Sequence, residues 1–145
     1  MEIYTIGFTG KSGAEFFEQL KKSGIKRVID VRLNNSSQLA GFAKRDDLRY
    51  FLRQICDADY VHLPVLAPGK ELLEGYRKKK VQWEDYEREF LAMLAERRAE
   101  WAVSKELFDV PAALLCSEPK PDRCHRRLVA EYLRAKWGQV EIIHL

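Results

Sequence analysis

Short apolar runs bounded by turn-forming residues alternate along this chain with longer stretches in which apolar residues recur every three to four positions. Runs of the first kind read as strands, and stretches of the second kind as helices with one buried face. The expected strands are Glu2–Ile6, Lys26–Val31, Asp59–Leu63, Ala112–Cys116 and Val140–Ile143. Ser12 is placed to cap a helix carrying Phe16, Phe17 and Leu20, with Gly24 just past its end. A polar loop, Arg32 to Lys44, is rich in Asn and Ser and able to shape a pocket. Asp46 or Asp47 opens a helix with Leu48, Phe51, Leu52 and Ile55 on one face. Pro64 to Gly69 reads as a loop, followed by helices from about Lys70 to Lys79 and from about Trp83 to Trp101. In the latter, Trp83, Tyr86, Phe90, Met93 or Leu94 and Trp101 form a stripe that reads as core. Asp122 stands as the N-cap of a last helix, which buries Leu128, Val129, Tyr132 and Leu133.

This alternation predicts a single α/β domain over residues 1–145. Its sheet is mainly parallel and five-stranded, Rossmann-like or flavodoxin-like, with helices on both faces. In such sheets ligands sit beyond the carboxyl ends of the strands, where the order of connections reverses. Those ends supply Gly7, then Asp30 and Arg32, then His62, then Cys116 and Glu118. Polar groups from distant parts of the chain thus arrive on one edge, and that convergence is the main functional signal.

The stretch Ala112 to Trp137 concentrates it. An apolar run is followed by a polar turn and a helix start, with Cys116, Glu118, Cys124, His125 and Arg126 around the first helical turn. Free backbone N–H groups and the helix dipole favour an anion there. The expected ligand is a nucleotide or another phosphorylated compound, acted on by a hydrolase or transferase. Arg32 and Arg126 would bind the charge, with Gly7, His62 and His125 around it. Asp30 or Glu118 would serve as acid or base, and Cys116 and Cys124 would line the site. Asp30 has a second reading, as the buried partner of an arginine such as Arg126.

Other chemistries are weaker matches. Gly7-Phe8-Thr9-Gly10-Lys11-Ser12 ends in Gly-Lys-Ser, but Thr5 stands where a phosphate loop requires its first glycine. Counting five residues on from Cys116 gives Asp122, where a phosphatase-type thiolate loop needs arginine. Cys124 reads either as a thiol activated by its helical position or as a small buried residue. Paired Cys-x2-Cys spacing is absent, and adjacent Cys124 and His125 on a helix would diverge by ~100°. No metal is therefore assigned, although a three-ligand catalytic site stays open.

Composition narrows the setting. Apolar residues make up 46% and charged residues 32% of 145 residues, as in a globular domain. No apolar run approaches the ~18 residues of a membrane span, and Met1-Glu2-Ile3-Tyr4 reads as a strand rather than a signal sequence. Three cysteines without framework spacing suit a reducing compartment, so the expected location is the cytoplasm. The net charge of +3 is spread among acidic residues. A non-catalytic nucleic-acid module using Lys44, Arg45, Arg49, Arg53 and the run Arg77 to Lys80 is the rival reading. It predicts affinity that falls steeply with salt. A third reading is a thiol- or metal-dependent enzyme using Cys116 and Cys124.

Leu115-Cys116-Ser117-Glu118, Cys124-His125-Arg126, Val140-Glu141-Ile142-Ile143-His144, Tyr4-Thr5-Ile6-Gly7 and Ile29-Asp30-Val31-Arg32 together resemble the DUF488 family. The resemblance implies an α/β fold and a set of positions, with no substrate, since the family's reaction is uncharacterised. Family members often carry a histidine after the first glycine, where this chain has Phe8-Thr9. The segment after the third strand, Leu66-Ala67-Pro68-Gly69, also departs.

Overall fold

The computed structural model describes residues 1–36 and 41–145, so four positions of the expected pocket-shaping loop lie outside the described residues. Five strands form one wholly parallel sheet: β1 (Glu2–Gly7), β2 (Arg27–Asp30), β3 (Asp59–His62), β4 (Ala112–Cys116) and β5 (Glu141–His144). Their order is β3-β2-β4-β1-β5. The α/β expectation holds, with a strand order of its own: β4 lies between β2 and β1, unlike the Rossmann and flavodoxin orders. β4 is buried at every position, as an unbroken Ala-Ala-Leu-Leu-Cys run requires of a central strand covered on both faces.

Helices cover both faces. α1 (Gly13–Lys22) and α2 (Arg45–Phe51) lie on one, where Phe16, Phe17, Leu20 and Leu48 pack with Ile6, Val28, Ala113 and Leu115. α3 (Lys70–Arg77), α4 (Trp83–Glu96), α5 (Ala99–Ala102) and α6 (His125–Trp137) lie on the other. There Phe90, Leu94, Leu128, Val129 and Leu133 pack with Ile3, Ile29 and Leu114. Alternate residues of each strand serve the two cores, as the two-residue period of a strand dictates.

Ser12 caps α1 through a reciprocal capping box with Glu15, and Gly24 follows the helix at φ +71°, as its sequence signature requires. Four details differ from the sequence expectation. α2 is capped at Lys44 rather than by either aspartate. It continues as one π-helical turn over Leu52–Cys56, and the change of pitch leaves Ile55 exposed while Leu52 and Cys56 are buried. The helix expected to reach Trp101 breaks after Glu96 at Arg98, which is left-handed (φ 51°, ψ 52°). Arg97 there donates to the carbonyls of Ala67 at 2.6 Å and Val65 at 3.1 Å. The break takes Trp101 out of the stripe, and it is 83% exposed. Finally, α6 begins at His125, because Pro121 starts a turn closed by the Cys124 N–H. Its N-cap is Cys124, not Asp122.

The topology sets where the connections on the two faces diverge. From β1 the chain crosses towards β2 over the α1 face, and from β4 it crosses towards β5 over the α6 face. The connections part at the carboxyl ends of neighbouring β1 and β4, where Gly7 pairs with Cys116. Among the described residues no helix is long and apolar enough to cross a membrane.

Candidate active site at the carboxyl edge of the sheet

A cleft of about 1100 Å³ opens at this edge. Phe8 and Thr9 after β1, Arg32 after β2, Cys116, Ser117 and Glu118 after β4, and Arg123, Cys124 and His125 before and at the start of α6 all line it. Its far wall comes from α3 and α4 and their connection, with Tyr76, Arg77, Lys79, Trp83 and Tyr86. Trp83 and Tyr86 stack with centroids 5.3 Å apart and planes at 23°.

At the floor lies a buried thiol–imidazole cluster. Cys116 ends β4, Cys124 caps α6 and His125 is the first residue of that helix. Cys116 Sγ is 3.3 Å from His125 Nδ1, and one donor atom from each of the three residues falls within 4.8 Å of the others. The sequence reading had Cys124 and His125 diverging on a helix. Because Cys124 is extended (φ −133°, ψ 139°) rather than helical, both side chains turn to the same point. His125 Nε2–H donates to the Val31 carbonyl at 2.7 Å, which turns Nδ1 towards Cys116.

These contacts divide the two thiols. Burial pushes the Cys116 thiol up, but hydrogen bonding from Cys124, the charge and hydrogen bond of His125 and the Glu118 N–H together outweigh it. Cys116 is thereby held well below the ordinary cysteine value. Cys124 is raised by burial and by its bond to, and the charge on, Cys116. Burial lowers His125, yet the Cys116 charge and hydrogen bond and the Val31 bond leave it raised. Both shifts run in the direction of a thiolate–imidazolium pair.

The other expected site residues are arranged around this centre rather than in it. Asp30 is fully buried, and its carboxylate accepts from Arg32 Nε at 2.8 Å, from a second Arg32 nitrogen at 2.7 Å and from the Tyr60 hydroxyl. Its buried partner is Arg32, two residues on along the same face, not Arg126. Burial and the Asp30 charge push Tyr60 up, so its hydroxyl stays protonated as a donor. For Arg32, burial works against the charge, and the Asp30 hydrogen bonds and carboxylate outweigh it. Its guanidinium lies 5.2 Å from the Phe8 ring centroid and reaches the cleft. His62 sits outside the cleft lining with Nε2 2.8 Å from the Arg32 carbonyl. Glu118 is exposed at the rim.

Arg126 is fully buried and outside the cleft lining. It donates to Thr5 Oγ1 at 3.3 Å and to the Glu118 carbonyl at 2.5 Å, and its remaining guanidinium nitrogen has no partner among the described residues. Its charge lies close enough to Cys124 to favour that thiolate. Gly7 lies under the same loop. A Cβ there would come within 1.7 Å of the Glu118 carbonyl oxygen, so its role is close approach of backbone.

Three features escaped the sequence reading. Tyr60 joins Asp30 from β3, and nothing local marks that pairing. Trp83, read as core, is only partly buried and stands in the cleft wall, whereas Tyr86 beside it is core as expected. Arg77 and Lys79, assigned to a nucleic-acid surface, stand on the rim with Arg123. Their clustering becomes visible only once α3 and α4 fold over the edge of the sheet.

Fold and site together define a doubly wound α/β protein with a thiol–imidazole centre at its switch point. The chain belongs to the DUF488 family, a domain of unknown function whose family model matches residues 12–133. No curated protein and no solved structure matches the chain.

Proposed function

We propose that the protein binds a nucleotide or another phosphorylated small molecule in this cleft and acts on it, as a hydrolase or transferase, at the Cys116–Cys124–His125 centre. The observation that carries this reading is the Cys116–His125 contact of 3.3 Å, at the floor of a cleft with a cationic rim. Arg77, Lys79 and Arg123 offer phosphate oxygens charged donors, and the partly exposed Trp83 offers an apolar contact to a base or sugar. Arg32 is committed to Asp30, so it contributes charge at the cleft more than a free binding fork. Glu118, at the rim, takes the acid or base role. Free thiols at the three cysteines suit a reducing, cytoplasmic setting.

Charge pairing favours a small ligand over a polynucleotide. Arg45 pairs with Asp46 and Arg53 with Asp57 and Asp59, while Arg49 sits over the Tyr60 ring. Two of that surface's four cations, Arg45 and Arg53, are thus paired with its own acids.

The test is thermal unfolding against a panel of nucleotides and sugar phosphates. A ligand at about 100 times its dissociation constant adds about 2.7 kcal/mol, or a rise of roughly 5–10 °C. Arg77→Ala with Arg123→Ala, both exposed positions, should leave the fold intact and weaken binding on the order of 10-fold or more. No shift with any phosphorylated compound, or a shift that survives in the double variant, would refute the reading.

A further inference from the structure

Cys116, Cys124 and His125 combine two soft donors with an imidazole, and their geometry asks for more than hydrogen bonding. Around a tetrahedral zinc, bond lengths of about 2.3 Å to sulfur and about 2.1 Å to nitrogen put neighbouring S and N donors about 3.6 Å apart, and two sulfurs about 3.8 Å apart. Here Cys116 Sγ and His125 Nδ1 are 3.3 Å apart, and all three donor atoms lie within 4.8 Å of one another. To reach zinc geometry the Cys116–His125 pair would open by about 0.3 Å, and a donor pair near the 4.8 Å limit would close by about 1 Å, shifts within reach of side-chain rotation.

Three further observations point the same way. His125 presents Nδ1 inward while Nε2–H is fixed on the Val31 carbonyl at 2.7 Å, the outer contact that orients a metal-ligating histidine. Cys116, Cys124 and His125 are only 3%, 2% and 7% exposed, so three donors converge at the floor of the cleft with only a narrow opening towards it. And Arg126, fully buried and without a carboxylate partner among the described residues, sets a positive charge near Cys124 that suits an anionic sulfur there. Two thiolates and a neutral imidazole around a divalent cation carry no net charge, which lowers the cost of burying all four.

We propose that Cys116 Sγ, Cys124 Sγ and His125 Nδ1 form a three-ligand site for a thiophilic divalent cation, zinc in the first place, with its fourth position turned to the cleft. Thiolate and imidazole donors select zinc over magnesium or calcium, which take oxygen. Three protein ligands with an open position are the pattern of catalytic rather than structural zinc. All three residues line the cleft, so an anionic group bound there reaches the open position. The inference rests on the reading of this cluster as the reaction centre. It replaces a free thiolate nucleophile with a Lewis acid that polarises the bound ligand or a water.

The test uses the full chain, reduced and stripped of metal by chelation, then titrated with cobalt(II) as a spectroscopic stand-in for zinc. The expected result is about one metal per chain. Tetrahedral visible bands should appear with a sulfur-to-cobalt charge-transfer band whose strength corresponds to two thiolates, and zinc should displace them. Cys116→Ser and Cys124→Ser should each lose the spectrum, while Cys56→Ser, away from the cluster, retains it. If a serine variant fails to fold by circular dichroism, the thiolate count in the wild-type band decides. No cobalt spectrum in folded, reduced protein overturns the site. So does a band worth fewer than two thiolates, a spectrum that survives in both folded serine variants, or a Cys116–Cys124 disulfide that no reductant opens. Repeating the phosphate panel on metal-free protein separates the two readings. Phosphate binding without a cobalt spectrum removes the metal alone, and a cobalt spectrum without phosphate binding removes the ligand alone.

Discussion

Gly7 and Arg126 meet the Glu118 carbonyl from two sides, and this crowding holds the Ser117–Glu118 segment over Cys116. An alanine at position 7 would put its Cβ 1.7 Å from that carbonyl oxygen, where nothing flexible can yield. Gly7→Ala should cost about 2–3 kcal/mol, the range of an overpacked core. It would appear in urea as a lower unfolding midpoint with an unchanged slope, whereas an unchanged midpoint would mean the loop is free to move. The importance of Gly7 was legible in the sequence, but not its reason, because the obstructing carbonyl lies more than a hundred positions away. That Asp30 would be buried against an arginine was legible, but the partner is Arg32, two places along the same strand face, rather than the expected Arg126. Their burial makes Arg32→Ala a poor probe of binding, since stripping one partner from a buried pair typically costs about 3–5 kcal/mol by itself.

The elements were read with mixed success, and the misses share a cause. Strands announced themselves by apolar runs, and α1 by a cap, a periodic face and a terminal glycine. The breaks went unseen because no proline or glycine marks them. Arg98 adopts a left-handed conformation without being glycine, and the π turn after α2 changes pitch inside an ordinary helical pattern. Moving the α6 cap from Asp122 to Cys124 mattered most, because it joins Cys124 to His125 in one site. At the other end of the sheet, β5 docks on β1 partly through a contact of 2.6 Å between Thr5 Oγ1 and His144 Nδ1. Thr5 Oγ1 already accepts from Arg126, and when its hydroxyl donates to His144 Nδ1 the imidazole must be neutral to accept it. Burial and then the Arg126 charge lower His144 below its ordinary value of 6.5. A depressed histidine contributes stability that is present above the unfolded value and lost as pH falls through the folded one. The melting temperature of the wild type should therefore drop more than that of His144→Asn as pH is lowered from about 7.5 through the window below 6.5. Parallel curves would show that the contact does not bear on docking.

For the molecule as a whole, the parallel sheet places its chemistry by topology rather than by any one motif. Connections from β1 and β4 part in opposite directions, and the gap between them receives a cationic rim, an aromatic wall and a thiol–imidazole floor. The alternation of strands and helices made that edge legible in the sequence, and with it Gly7, Arg32, Cys116, Glu118, Cys124 and His125. It did not reveal which of the expected residues line the cleft and which are held beneath it by other protein groups. Asp30, His62 and Arg126 are of the second kind, held by Arg32 and Tyr60, by the Arg32 carbonyl and by Thr5 with the Glu118 carbonyl. That division depends on tertiary distances and burial, which no local pattern encodes.

The most direct measurement of the central claim is turnover of the phosphorylated compounds that stabilise the protein, followed by phosphorus-31 NMR for wild type and Cys116→Ser. The account predicts hydrolysis or transfer by the wild type and a loss on the order of 100-fold or more in Cys116→Ser. Binding should persist in that variant, since the rim residues are untouched. A bound ligand that is never turned over, or turnover indifferent to Cys116, would contradict it.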